Sequence, residues 1–250
     1  MKQTSSWQPV SKWYDRAVGD RGHYFHEHVV IPGVLRLLGL DKTSSLLDLA
    51  WGQGVLGRAI PKDVAYVGID ASFSLIQMAK KRDTNPRHEY HVSDVVGTLP
   101  VEVFVTHAAL VLSLQNIADP EAVISNCAKH LAGAGTLIIV LNHPCFRIPR
   151  QSSWGIDEAS KLQYRRVNRY MSPLKIPITT HPGQTSGPVT WSFHRSLTDY
   201  FFMIAAGGFV ITGLEEWVSD RESEGKASRM ENRGRVEIPL FLAIKAKKEE

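Results

Sequence analysis

The sequence predicts an α/β fold, a mostly parallel sheet with helices on both faces and an antiparallel pair of strands at its end. Three observations predict it. Short apolar runs alternate with helix-period segments between Ser45 and Leu141, opening in the order β-α-β-α-β. The first run ends in a glycine-containing turn that leads straight into a helix, Asp48-Leu49-Ala50-Trp51-Gly52-Gln53-Gly54. The last two runs, Phe209 to Trp217 and Val236 to Ala246, are close together and joined by a polar connection, as an antiparallel pair would be.

Taken in order, residues 1–20 carry no regular period. His23 to Leu40 places Val29, Val30, Val34, Leu37 and Leu38 on one helical face that Pro32 restricts, so residues 1–40 read as an N-terminal helical cap. Ser45 to Ala50 is a strand, Val55 to Ile60 a helix, Ala65 to Ile69 a strand, Leu75 to Lys81 a helix and Glu89 to Val92 a third strand. Val101 to Thr106 and Thr136 to Leu141 are the next strands, joined through a helix from Pro120 to Leu131, and His107 to Leu112 reads as the loop after the fourth strand. The rhythm stops after Leu141. Residues 143–193 mix prolines, aromatics and bases and read as a lid inserted across the mouth of the sheet. Within it, Ile156, Ala159, Leu162, Val167 and Tyr170 stand at broadly helical spacing. Leu197 to Ala206 is an amphipathic helix that Ser196 caps. Residues 1–250 need no more than a single domain.

Composition narrows the function. The net charge of +4 is too small to imply a nucleic-acid partner by itself. Cys127 and Cys145 are the two cysteines, too few and too far apart for a disulfide framework, a cysteine-rich metal site or a thiol relay, and no metal is expected. No run of about 20 apolar residues is present to cross a bilayer, and Met1 to Trp13 does not resemble a signal peptide. The expected compartment is the cytoplasm. Oligomeric state is not legible.

The glycine turn allows a sharply bent backbone to pass under a ligand. Asp70 ends the second strand 22 positions after Asp48, where a carboxylate accepts hydrogen bonds from both hydroxyls of a ribose. Asp94 follows the third strand, so three acids gather at one edge of the sheet. A dinucleotide site would need a full Gly-x-Gly-x-x-Gly turn, and Gly57 lies too far along the helix to complete one. Asp48 through Gly54, Asp70 and Asp94 together resemble the first three motifs of the class I S-adenosylmethionine-dependent methyltransferases, over roughly residues 42–142. Ala50 stands where that family usually has its first glycine. The resemblance implies a Rossmann-like, seven-stranded sheet and S-adenosyl-L-methionine as cofactor. It places the methionine part on Asp48 and Gly52, the ribose on Asp70 and the adenine amino group on Asp94, with Ala50, Gln53, Gly54, Ala71, Val95 and His107 completing the set. The segment His107 to Leu112 lacks the Asn-Pro-Pro-Tyr or Asp-Pro-Pro-Tyr tetrad of family members that methylate base amines, which disfavours that chemistry.

Acceptor residues are sought in the insertion. His143 follows the fifth strand where a pocket would open, although a buried imidazole bonded to nearby backbone is the plainer reading. Arg147, Arg150, Lys161, Arg165, Arg166, Arg169 and Lys175 face only Asp157 and Glu158 between Cys145 and Lys175, a local surplus of five positive charges. Interleaved with Trp154, Tyr164 and Tyr170, they could clamp an aromatic or anionic acceptor, stack on RNA, or form a solvated face. His194-Arg195-Ser196-Leu197, then Asp199-Tyr200 and Gly207-Gly208-Phe209, resemble a bacterial small-molecule branch of the family, the ubiquinone/menaquinone-like methyltransferases of type 11. The Trp13-Tyr14-Asp15 element, with Tyr24 and His26 beyond it, is similar to that branch too and would fold over the cofactor or anchor the N-terminus on the helices.

The expected function is in-line methyl transfer to the oxygen, carbon or nitrogen of a small-molecule acceptor. His194 is the expected proton acceptor, with His143 shaping the pocket and Tyr170 a weaker orienting group. The alternatives are an RNA or protein methyltransferase that uses the basic insertion, and a non-catalytic S-adenosylmethionine-binding protein; nucleic acid is the disfavoured partner.

Overall fold

The computed structural model describes residues 7–19, 22–179 and 189–249. Five parallel strands form the body of the sheet: β1 (Ser45–Leu49), β2 (Ala65–Asp70), β3 (His88–Val92), β4 (Val105–Val111) and β5 (Leu131–Asn142). Four further strands make two hairpins, β6 (Ser152–Asp157) with β7 (Leu162–Val167) and β8 (Leu174–Thr179) with β9 (Val189–His194). β11 (Phe241–Lys248) pairs antiparallel with β5, and β10 (Phe209–Trp217) closes the edge of the main sheet antiparallel to β11. The order of the seven strands is β10-β11-β5-β4-β1-β2-β3, so the direction of winding reverses between β1 and β4. Open α/β sheets bind ligands at that reversal, outside the carboxyl ends of the strands.

Alternation of side chains along the central strands fills two cores. Leu47 and Leu49, Ala108 and Leu110, Leu137 and Ile139, and Leu242 and Ile244 pack on the face covered by α5 (Pro120–His130) and α6 (Leu197–Ala206). Leu46, Ala109, Ile138 and Ala243 face the other way, with α2 (Ile31–Leu38), α3 (Val55–Ala59) and α4 (Phe73–Arg82). Burial on both faces explains why these strands read as unbroken apolar runs. The helix ends follow their sequence signals: Asp119 and Pro120 open α5, and Ser196 with Asp199 forms a reciprocal capping box on α6. α1 (Ser11–Val18) precedes a π-helical turn, His26–Val30, that runs directly into α2.

Three expectations are corrected. The fourth strand begins at Val105, not Val101, and His107 to Val111 is strand rather than loop, with Ala108, Ala109 and Leu110 buried; Phe104, just before it, is exposed. The run expected to be helical after Asp157 is the turn and second strand of the β6–β7 hairpin. Asp157 accepts hydrogen bonds from the backbone N–H groups of Ala159 and Ser160, and Lys161 takes a left-handed φ of 52°, so local turn chemistry overrides a loose helical spacing. The segment before the last strand is the helix α7 (Ser228–Glu237), and β11 starts only at Phe241. No helix among the described residues is long and apolar enough to cross a membrane.

Candidate active site

The carboxyl ends of the parallel strands open into a cavity of about 670 Å³, a size typical of small-molecule sites. Its wall takes Asp48 and Ala50 from the end of β1 and the turn after it, Asp70 and Ala71 from the end of β2 and just past it, Asp94 and Val95 from beyond β3, Leu112 and Ser113 from beyond β4, and Asn142 from the end of β5. Trp7, Gln8, Tyr14 and His26 close it from the N-terminal side.

Two of the acids are buried with their charges poorly compensated. Asp48 accepts a hydrogen bond from the Tyr66 hydroxyl at 2.9 Å, while its Oδ1 has no partner. Burial pushes its pKa up to about 7, against the Tyr66 hydrogen bond and with help from the charge of Asp70. Asp70 accepts the N–H of Gly52 at 2.9 Å and that of Ser72 at 2.7 Å. Burial still raises it to about 6. Tyr14 beside them is raised to about 12 by burial and by the charges of Asp70 and Asp48. Such a pair of acids favours a ligand that brings positive charge or hydrogen-bond donors.

The turn between β1 and α3 is built on left-handed residues, with φ of 55° at Ala50, 66° at Gly52 and 78° at Gly54. A side chain at Gly54 would run into the indole of Trp51, and a Cβ at Gly52 would stand 3.3 Å from the Tyr14 ring. Ala50 carries a methyl where glycine would be unstrained. Trp51 stacks on Tyr90 with ring centroids 4.9 Å apart.

The N-terminal element is clamped over this turn. Asp15 pairs with Arg82 at 2.5 Å, Arg82 also bonds Gln53, and the Gln53 amide donates to the Gly19 carbonyl at 2.7 Å. Gln8 accepts from the Ser72 hydroxyl at 2.9 Å and from the Ser74 N–H at 3.1 Å. Of the two readings of Trp13-Tyr14-Asp15, this geometry favours the one that folds over the site.

Among the described residues, six buried side-chain polar atoms have no hydrogen-bond partner, and four of them belong to the wall of this cavity: His26 Nδ1, Asp48 Oδ1, Trp51 Nε1 and Gln115 Oε1. Buried polar atoms are otherwise almost always satisfied, so their concentration here marks a ligand site. Asp48 and Gln115 present acceptors, Trp51 a donor, and His26 either. Burial, with the charge of His23, lowers the pKa of His26 to about 4, which keeps its imidazole neutral at pH 7.

The sequence-derived set divides. Asp48, Ala50, Gly52, Asp70, Ala71, Asp94 and Val95 line the cavity; Gln53, Gly54, His107, His143, Tyr170 and His194 do not. Gln53 and Gly54 shape the turn. His107 lies in the amino-terminal half of β4, opposite Leu46, with its Nδ1 2.8 Å from the Thr106 hydroxyl. His143 is locked in a corner, its Nε2 2.8 Å from Glu216 and its Nδ1 accepting the Cys145 N–H at 3.2 Å. Burial lowers its pKa, against the pull of Glu216. His194 donates from Nε2 to the Tyr170 carbonyl at 2.7 Å, and the Tyr170 hydroxyl accepts the Leu197 N–H at 2.9 Å, so the two tie the end of β9 to α6. Both His143 and His194 thus have structural partners. His194 adjoins a small recess that shares Gln115, Asn142, Pro149 and Ser192 with the main cavity. Trp7, Gln8, Trp51, Gln115 and Asn116 were not singled out as site residues by sequence; a large aromatic inside a glycine turn was the available signal for Trp51.

Residues 47–139 match the methyltransferase domain family. The fold is that of class I S-adenosylmethionine-dependent methyltransferases. A Listeria monocytogenes protein assigned to these enzymes superposes with a TM-score of 0.67 at 23% identity, over 88% of this chain and 98% of that one. A Mesorhizobium loti S-adenosylmethionine-dependent methyltransferase gives 0.68 at 18% identity, over 87% and 96%. The assigned methyltransferase in a complex with the Haloferax volcanii Trm112 methyltransferase activator gives 0.66 at 16% identity, over 97% and 96%. No curated protein matches the sequence. Solved structures that share this fold are described as S-adenosylmethionine-dependent methyltransferases, and one of them is a complex with S-adenosyl-L-methionine. The cavity fits that cofactor: an orphaned carboxylate oxygen on Asp48, a second buried acid and a glycine turn bent to the backbone conformation that a close ligand approach needs. Among the described residues no group of acids, histidines and cysteines could hold a metal ion.

Proposed function

We propose that the chain transfers a methyl group from S-adenosyl-L-methionine to a small acceptor held in the same cavity. The observation that carries this reading is the clustering of four unsatisfied buried polar atoms in the wall of one cavity, which is also lined by the acids Asp48, Asp70 and Asp94 and by Asn142. When bound, the cofactor supplies an electrophilic methyl group on a sulfonium, whose loss leaves a neutral sulfide. Asp48 and Asp70 hold its donor groups, Asp94 reads its base, and Tyr14, Trp7 and Gln8 exclude water from above. His26 presents an unpartnered ring nitrogen on the cavity wall, and that position makes it the proton acceptor for a hydroxyl or acidic carbon, although burial leaves its imidazole a weak base in the free protein. His194 and Tyr170 position the described part of the insertion, residues 143–179 and 189–193, which serves as the lid on the acceptor half; residues 180–188 of the expected lid lie outside the described residues.

The test is single-turnover methylation across phenols, quinols, amines and small acids. With an active acceptor, His26→Ala lowers the rate by about 10²-fold while cofactor affinity holds. His194→Gln, which keeps a hydrogen-bond donor for the Tyr170 carbonyl, leaves the rate within a few-fold. A full loss in His194→Gln with an unchanged His26→Ala would return the proton-acceptor role to His194. A second reading, methylation of RNA or protein, draws on the Trm112 complex of the haloarchaeal structure and on the basic β6–β7 hairpin. It requires saturable, salt-sensitive binding of the macromolecule to that hairpin.

A further inference from the structure

Beneath the β6–β7 hairpin lies a second cavity, of about 410 Å³, between the hairpin, α7 and the turn around Phe25. Four arginines line it, Arg147, Arg165, Arg221 and Arg235, against one carboxylate, Glu231. Arginine stays protonated, so the cavity gathers four positive charges in a partly enclosed space.

Their contacts leave most of that charge uncompensated. Arg147 reaches the Leu240 carbonyl at 3.4 Å and lies over the Phe241 ring at 4.9 Å. Arg165 donates to the Phe146 carbonyl at 2.6 Å and the Ser152 hydroxyl at 3.0 Å, with its guanidinium 5.2 Å from the Trp154 ring. Arg221 covers the Tyr24 ring at 4.0 Å. Arg235 bonds the Ser223 hydroxyl at 2.7 Å and stands 3.9 Å from Glu231. Among the described residues none of the first three has a carboxylate partner. Burial first, and the neighbouring charge of Arg165 second, lower the pKa of Arg147 to about 10, as expected of a cation taken out of water beside a like charge.

We propose that this cavity binds a phosphate-like oxyanion, as a second site distinct from the cofactor cavity and connected to its acceptor side through Arg147. A phosphoryl group brings close to two negative charges and three acceptor oxygens, which match several guanidinium forks; a carboxylate would neutralise only one. The connection is physical. Arg147 also lines the small recess that shares Gln115, Asn142, Pro149 and Ser192 with the main cavity. The phosphoryl group therefore comes either from free phosphate or from a phosphorylated acceptor whose other end reaches the methyl-transfer cavity; the second source rests on the function proposed above.

The test is calorimetric titration of the full chain with inorganic phosphate, at ionic strength matched with chloride. Saturable binding of one phosphate per chain is expected, weakened about tenfold or more in both Arg165→Gln and Arg221→Gln. Arg166→Gln is the control, because strand alternation turns Arg166 to the opposite, exposed face of the hairpin. No saturable heat, or equal losses in Arg165→Gln and Arg166→Gln, overturns the proposal. Arg221 is exposed, so its removal leaves the fold intact, and unchanged phosphate affinity in Arg221→Gln overturns it even where Arg165→Gln unfolds. Phosphate that raises the KM of a phosphorylated acceptor with kcat unchanged assigns the site to the acceptor; binding without effect on transfer assigns it to the free anion. The titration needs no methyl transfer, so its failure leaves the proposed function standing.

Discussion

Removing the buried charge of Asp48 by Asp48→Asn should stabilise the free protein and cripple cofactor binding. An acid whose pKa is raised in the folded state binds its proton more tightly folded than unfolded. For a shift from 3.8 to about 7, the folded chain holds the extra proton between those values, so stability falls as pH rises through that window and levels above it. At about 1.4 kcal/mol per tenfold in the proton equilibrium, the cost at pH 8 has a ceiling of about 4 kcal/mol. Asparagine keeps an oxygen for the Tyr66 hydroxyl but places amide hydrogens where Oδ1 has no partner, an unsatisfied group that returns about 1–3 kcal/mol. A net gain of about 2 kcal/mol at pH 8 remains; it should vanish near pH 5, where the charge cost has fallen to the size of the amide penalty, and change sign below that. Asp70, raised to about 6, contributes the same slope only at lower pH, so the fall between pH 6 and 7 reports Asp48. Urea unfolding of both proteins at several pH values measures the gain, and calorimetry with S-adenosylmethionine should show affinity reduced at least tenfold. A variant less stable than the parent at pH 8, or a parent whose stability is flat between pH 5 and 7, would refute the reasoning.

Asp70→Ala should weaken S-adenosylmethionine in calorimetry without unfolding the domain; unchanged affinity would remove Asp70 from the site. Ala50→Gly relieves a left-handed alanine worth about 1–2 kcal/mol, offset in part by the freer unfolded chain, so a gain of up to about 1 kcal/mol is expected in denaturant melts. Asp15→Ala breaks the pair with Arg82 that clamps the N-terminal element, and should raise the Kd for cofactor several-fold while global stability changes by less than about 1 kcal/mol. Amide exchange in the insertion should slow when cofactor and acceptor are both bound; equal exchange in the free and doubly bound protein would contradict a lid there.

The central strands were legible because burial on both faces demands apolar runs, and the run Leu46-Leu47-Asp48-Leu49 into a glycine turn has few other uses. The same rule misled at the fourth strand. His107-Ala108-Ala109-Leu110 carries little β-branching and one imidazole, and only its place between β1 and β5 makes it a strand. In the insertion a helical spacing of apolar residues was present but belonged to no buried face: Ile156, Leu162 and Val167 are exposed on a hairpin set by the Asp157 turn.

Sequence alone determined the acids at the ends of the first three strands, because motif spacing and strand direction place them at one edge whatever else the chain does. Among the histidines it named His194 as proton acceptor, with His143 shaping the pocket, and it did not weigh His26 for that role. His26, His143 and His194 all stand near chain reversals in the sequence, and each has the same intrinsic chemistry. Only tertiary structure separated them, by giving His143 a carboxylate and His194 a carbonyl while leaving the Nδ1 of His26 unpartnered on the cavity wall. Hydrogen-bond satisfaction depends on which distant segments meet, and that is decided by the three-dimensional path of the chain, not by any local pattern along it.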